Sequence, residues 1–158
     1  MNRSYWNRKH NRAGNGKRRK LEELTRRELI GKLDRELSFY VRACAVIDDH
    51  GYARCITCSA LKRFSDVDAG HYISRAVEIT RFDLDNVWPQ CPRCNRFQEG
   101  QKHLYRQNLV ERIGESRVIR LENLARMGGS FDSLQLVEEI RRYRDLNKEL
   151  RMRLREYQ

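Results

Sequence analysis

From Leu21 to about Ile47 apolar residues recur three and four apart, at Ile30, Leu33, Leu37, Tyr40, Cys44 and Ile47. That period makes one stripe along an α-helix. Cys44, on the stripe, reads as a core residue and not as a ligand. Asp48-Asp49-His50-Gly51 ends the run, with Gly51 suited to a left-handed C-cap. Residues 52–95 lose this period. Val67, Ala69, His71 and Ile73 alternate like a strand reaching a turn, and Asp85–Cys91 reads as a second short strand. From Asn95 to about Ile113 the pattern is helical again, and Gly114 stops it. A short helix at about 115–126 is broken by Gly128-Gly129. A long helix follows at about 133–157, with a stripe of Leu136, Ile140, Tyr143, Leu146 or Asn147, Leu150 and Leu154. Asp132 can cap it, with Gln135 as the return partner. At roughly 35 Å this helix is longer than a small core needs. Part of it must pack on the first helix, as an antiparallel pair, or on a second protomer.

Composition adds a partner class. The 158 residues hold 33 Lys and Arg against 22 Asp and Glu, a formal charge of +11. Residues 1–20 carry eight of those bases, Arg18 and Arg19 among them, and no acid. This stretch reads as a disordered basic arm, and the rest of the chain is close to balanced. Basic arms bind nucleic acid because phosphate contacts release counterions, although a solubilising tail has the same composition. No stretch approaches the ~18 consecutive apolar residues of a membrane helix, and no apolar run follows Met1. The expectation is a cytoplasmic protein.

Two C-x2-C knuckles, Cys55-Ile-Thr-Cys58 and Cys91-Pro-Arg-Cys94, stand 32 residues apart. A two-residue spacer lets both thiolates of a knuckle face one ion, and two knuckles complete a tetrahedral sulfur site for structural zinc. Paired disulfides would need an oxidising compartment, and redox chemistry normally uses one pair. A zinc held by four sulfurs has no open position and so no catalytic role.

Between the knuckles lies Asp66-Val-Asp-Ala-Gly-His71-Tyr-Ile-Ser-Arg75. A lone histidine is more often structural than catalytic. Here it shares a region with Asn95, which directly follows the last cysteine, and a zinc clamp would bring the two together. Neutral imidazole accepts a proton from water near pH 7, and an amide oxygen suits Mg2+.

The order C-x2-C, G-H, N, C-x2-C-N resembles the HNH nucleases of the ββα-metal type. Cys55 to Gly114 more closely resembles the phage lambda NinG/Rap family of recombination endonucleases. The segments CITC, DAGHYISR, RFDLDNVWPQCPRCN and YRQNLVERIG carry that resemblance. It implies His71 as general base, Asn86 as the residue holding the loop that orients it, and Asn95 as ligand of a catalytic Mg2+ or Mn2+. Many HNH enzymes place Asp before the histidine as a second ligand, and here that position is Gly70. Asp68 is the nearest substitute, and Asp66 and His103 are weaker ones. Arg75, Arg81, Arg93 and Arg96 flank these motifs and can clamp phosphates, Arg75 and Arg81 being the preferred pair.

The expected fold is α+β and mainly helical, with a zinc-stabilised, treble-clef-like ββα-metal core. The expected organisation is an arm at 1–20, a helix at 21–50, the nuclease core at 51–114 and a helical region at 115–158. The resemblance implies a metal-dependent endonuclease acting in a host cytoplasm on branched DNA such as Holliday junctions or D-loops. Two cuts per junction imply a homodimer held by the two long helices. A sequence-reading nickase and a zinc-ribbon DNA-binding module without catalysis remain alternatives.

Overall fold

The computed structural model describes residues 19–48 and 50–155. Most of the basic arm, including Arg18, lies outside them. The described part is mixed α+β and mainly helical, as the hydrophobic pattern predicts. Its elements are α1 (Arg26–Cys44), β1 (Tyr52–Arg54), β2 (Leu61–Arg63), β3 (Asp68–His71), α2 (Glu78–Arg81), β4 (Val87–Gln90), α3 (Lys102–Ile113), α4 (Glu115–Met127) and α5 (Ser133–Arg155). No helix among the described residues is long and apolar enough to cross a membrane.

Helix α1 starts later than its stripe suggests because Thr25 caps it. The Glu28 amide donates to Thr25 Oγ1 at 3.3 Å, and the Thr25 amide donates back to Glu28 at 2.9 Å. The helix stops at Cys44, where Val46 pairs with Ala53 and the Ile47 amide donates to the Tyr52 carbonyl. The buried stripe is therefore Leu29, Leu33, Leu37 and Val41, one step round from the expected one. Cys44 is exposed, which corrects its reading as a core residue, and Ile47 is exposed too. Gly51 adopts its positive φ in the turn before β1, not at a helix end. The helix expected from Asn95 is interrupted. A widened turn at Arg93–Phe97 is separated from α3 by Glu99, Gly100 and Gln101, all at positive φ. Gly114, at φ 84°, ends α3 and starts α4. The capping pair at α5 is as expected, with reciprocal bonds of 2.8 and 2.9 Å between Asp132 and Gln135.

Strands β3 and β4 pair antiparallel with Asp68 opposite Gln90, Gly70 opposite Trp88 and His71 opposite Val87. Side chains alternate across a strand, so the hairpin has two working faces. Ala69 and Val87 join a core formed with α1 and α5. Trp88 packs against a second core of Ile56, Tyr105, Leu109, Val118 and Leu121, supplied mainly by α3 and α4.

Helices α1 and α5 lie against each other inside one chain, and they run parallel. Glu22 meets Arg141, Glu36 meets Asn147 and Arg151, and the Ala43 carbonyl accepts from Arg153 at 3.0 Å. The pairing is not the antiparallel one: the segment from β1 to α4 intervenes between the helices and returns the chain to the starting end of α1. Leu136, Ile140 and Tyr143 are buried against Leu29, Leu33 and Leu37. The stripes that pointed to a second protomer are thus covered within the chain. Asn147, fully buried, continues the α5 stripe where Leu146 is 41% exposed.

Candidate functional site

The four knuckle cysteines converge as their spacing predicts. Cys55 and Cys58 lie at the turn between β1 and β2, and Cys91 and Cys94 where β4 enters the widened turn. Their sulfurs all lie within 4.8 Å of one another, and Cys58 Sγ and Cys91 Sγ are 3.8 Å apart. A tetrahedron with Zn–S bonds of ~2.3 Å has edges of about 3.8 Å. The Cys91 amide donates to Cys55 Sγ at 3.3 Å, a bond that favours thiolate. The four cysteines could hold a zinc ion.

His71 closes β3. Its Nε2 lies 3.0 Å from the Arg81 carbonyl oxygen, so this nitrogen is the protonated one and donates there. Nδ1 is left as the acceptor and faces Arg75 Nε at 3.4 Å. Burial, reinforced by the Arg75 charge, pushes the His71 pKa down to about 4. The ring is therefore neutral at physiological pH, with its basic lone pair turned toward the exposed Arg75.

Asn86, fully buried, sets the loop that supplies the Arg81 carbonyl. Its Oδ1 accepts from the Ile73 amide at 2.7 Å. Its Nδ2 donates to the carbonyls of Ile73 and Thr80 at 3.1 and 2.8 Å. One side chain thus pins the chain two residues after His71 and one residue before Arg81. The neighbouring Asp85 anchors the same loop to α4, accepting from Arg117 Nε at 2.9 Å and from Arg120 at 2.9 Å.

The clamp reading expects Asn95 beside His71, but the side-chain bond that Asn95 makes is to Asp68: its Nδ2 donates to Asp68 Oδ2 at 2.9 Å. Arg96 forks onto the same carboxylate, with Nε at 2.8 Å. Burial alone would raise the Asp68 pKa, but the bonds from Arg96 and Asn95 hold it below the ordinary carboxylate value. His71 and Asp68 are three residues apart on β3 and leave opposite faces of the strand. Hence His71 does not share the hydrogen bonds of Asn95. Lys102 joins the two sides from the start of α3, donating to the His71 carbonyl at 2.8 Å and to that of Tyr72.

The remaining expected residues divide. Arg75, Arg93 and Arg96 are exposed beside the site. Arg81 is committed to Asp34 on α1, through bonds of 3.0 and 2.6 Å, and is unavailable to a phosphate while that pair holds. Arg19 pairs with Glu28, and Asp66 accepts from Ser65. His103 is exposed on α3. Sequence reasoning missed Asp34, Lys102, Asp85 and Gln90. Gln90 alone carried a signal, its place directly before a knuckle cysteine.

A family model described as Bacteriophage Lambda NinG protein matches residues 2–153. Similar curated proteins are all called Protein ninG. Those of Escherichia phage 933W, Salmonella phage P22 and Escherichia phage lambda are 39%, 40% and 37% identical over 70 residues. In each case the matched segment covers 44% of this chain and 34% of the relative, about a third of its length. No solved structure matches.

Proposed function

The chain belongs to the NinG family, and from that premise we propose that it is a metal-dependent DNA endonuclease of the HNH type. Its substrates are branched recombination intermediates such as Holliday junctions and D-loops. One observation carries this reading. His71 is neutral and fixed in one tautomer by the Arg81 carbonyl, which comes from a loop that Asn86 pins at three points. A structural histidine does not need its acceptor nitrogen turned toward an exposed arginine.

The donor set of Asp68 and Asn95, which leaves the other face of β3, suits a hard cation. Mg2+ takes one or two protein oxygens and keeps water and phosphate oxygens for its other positions. Asp68 and Asn95 supply that number, provided the Asn95 amide turns its oxygen inward and Arg96 leaves the carboxylate. Mg2+ or Mn2+ held there would neutralise charge on the scissile phosphate and on the leaving oxygen.

The protein's own groups then have these tasks. His71 Nδ1 takes the proton of the attacking water, and the Arg81 carbonyl stabilises the imidazolium that results. Arg75 leaves Nδ1 for a phosphate oxygen, which both frees the base and orients the strand. Arg96, released from Asp68, and Arg93 bind neighbouring phosphates, and Arg18 and Arg19 extend the contact along the backbone. The four-cysteine zinc holds Asn95 in place and takes no part in the reaction. Two copies acting on one junction supply the two cuts, while the α1 and α5 stripes pack on each other within each chain.

Cleavage of a labelled four-way junction, compared with a matched linear duplex, tests the reading. Wild-type protein is expected to cut the junction with Mg2+ and not with EDTA, and His71→Ala to bind it without cutting. Binding without product under Mg2+ and Mn2+, from zinc-loaded protein, would instead support the non-catalytic zinc module, which the glycine before His71 favours.

A further inference from the structure

We infer that Gln90 supplies the ligand oxygen that the missing carboxylate at position 70 would have given. This rests on the cation site proposed above and adds a residue to it. Gln90 is fully buried at the end of β4, directly across the ladder from Asp68, so the two side chains leave the same face. Its Nε2 donates to Thr57 Oγ1 at 2.7 Å and to the Gly100 carbonyl at 2.9 Å. The Gly100 carbonyl can only accept, so the two ends of the amide are not interchangeable. Its oxygen, Oε1, is buried without a hydrogen-bond partner. A buried acceptor left unpaired costs free energy, and such groups call for a specific explanation.

Oε1 points at Gly70. A Cβ added to Gly70 would lie 2.7 Å from Gln90 Cβ and closer still to Oε1. No side chain fits there while Gln90 is present. The amide oxygen therefore stands where an aspartate directly before His71 would begin, on the Asp68 and Asn95 side of the strand. Glycine at 70 and glutamine at 90 are two halves of one exchange. A carboxylate from β3 is replaced by a neutral oxygen from β4, and Asp68 supplies the negative charge. The cation then has three protein oxygens, from Asp68, Gln90 and Asn95, and binds more weakly than it would to two carboxylates.

Mn2+ titration of zinc-loaded protein without DNA, followed by electron paramagnetic resonance, tests this, with zinc content and circular dichroism recorded for each variant. Gln90→Ala is expected to weaken Mn2+ binding by about 10–100-fold, the scale of losing a metal-site group. Gly70→Asp alone is expected to misfold through the clash. The double variant Gly70→Asp/Gln90→Ala is expected to fold and to regain Mn2+ affinity at or above the wild-type level, since Gly70 needs no positive φ. Rescue by the pair is the result that a purely structural Gln90 would not give. If Gln90→Ala folds, keeps zinc and binds Mn2+ like wild type while Asp68→Ala does not, Gln90 is no ligand and the two-oxygen site stands. A double variant that folds without regaining Mn2+ also overturns the exchange. Absence of Mn2+ binding by the wild type would overturn both readings.

Discussion

Asn86→Ala is the substitution whose cost the structure defines best. The wild-type side chain is inaccessible to solvent and satisfies one amide and two carbonyls, at 2.7, 3.1 and 2.8 Å. Alanine leaves the Ile73 N–H and the carbonyls of Ile73 and Thr80 without that partner at a position closed to solvent. Each orphaned group costs about 1–3 kcal/mol, so the variant should lose about 3–5 kcal/mol. Asn86→Asp should be no milder, because its second oxygen would face two carbonyls. Urea unfolding of zinc-loaded protein measures this directly. With a slope of about 2 kcal/mol per molar urea, the midpoint should fall by about 2 M. The structure also says where the damage starts. Hydrogen exchange should accelerate at Ile73 and along residues 73–81 before the α1–α5 core is affected. A midpoint shift under 0.5 M, on the order of 1 kcal/mol, would mean that the loop is held by other bonds and would refute the argument.

Three further outcomes follow from the same geometry. Serine at Cys55, Cys58, Cys91 or Cys94, or stripping the protein with a strong chelator, should unfold the segment from β1 to the start of α3, because metal binding and folding are coupled there; a stable, zinc-free protein by elemental analysis would refute this. His71 has a folded pKa of about 4 against 6.5 when unfolded, so protonation favours the unfolded chain. The stability it contributes is complete above about pH 6.5 and is lost as pH falls toward 4. By pH 5.5 wild type should lose about 1 kcal/mol that His71→Leu does not lose, and parallel urea midpoints for the two proteins would count against it. Deleting residues 1–20 removes eight positive charges and should weaken binding to all DNA shapes alike, lowering the slope of log K against log salt by several units; an unchanged slope would show that the arm does not touch phosphate.

What the sequence made legible was what depends on short-range chemistry. The knuckles, the β3 and β4 strands, the glycine at 114 and the Asp132–Gln135 cap each follow from spacing or backbone preference, and each lies where that reasoning puts it. The errors share one cause, which is long-range competition. The ends of the α1 stripe differ, with Leu29 and Val41 buried in place of Ile30 and Tyr40, and Ile47 is not helical at all, because after Cys44 the chain turns so that Val46 and Ile47 pair with Ala53 and Tyr52. Leu146 and Asn147 could not be separated by hydropathy. Asn147 takes the buried place because the Glu36 carbonyl and carboxylate await it at 3.0 and 2.9 Å. Arg81 offered itself as a phosphate ligand, and nothing local to it announces Asp34, which lies 47 residues earlier on α1.

The placement of Gln90, Cys91, Cys94 and Asn95 within six residues has a physical consequence for the proposed chemistry. Two cations of opposite character would share this short stretch, a soft-ligand zinc through Cys91 and Cys94 and a hard cation through the flanking amides. Neither amide is positioned by its own packing alone. Gln90 is held by Thr57, inside the first knuckle, and by the Gly100 carbonyl, while the Gly100 amide donates to the Cys94 carbonyl at 2.9 Å. Asn95 sits on a turn whose first bond, from its own amide to the Cys91 carbonyl, spans the second knuckle at 3.0 Å. A zinc bound by the four cysteines would thus set the distances of the proposed cation site, although it would have no open coordination position of its own. Helix α1, packed on α5, does the same for His71, the proposed base, from the opposite face of the hairpin. Asp34 on α1 fixes the Arg81 guanidinium, and the Arg81 carbonyl fixes the tautomer of His71. Helix α1, backed by α5, is thus the support against which the Arg81 segment, and through it His71, is set.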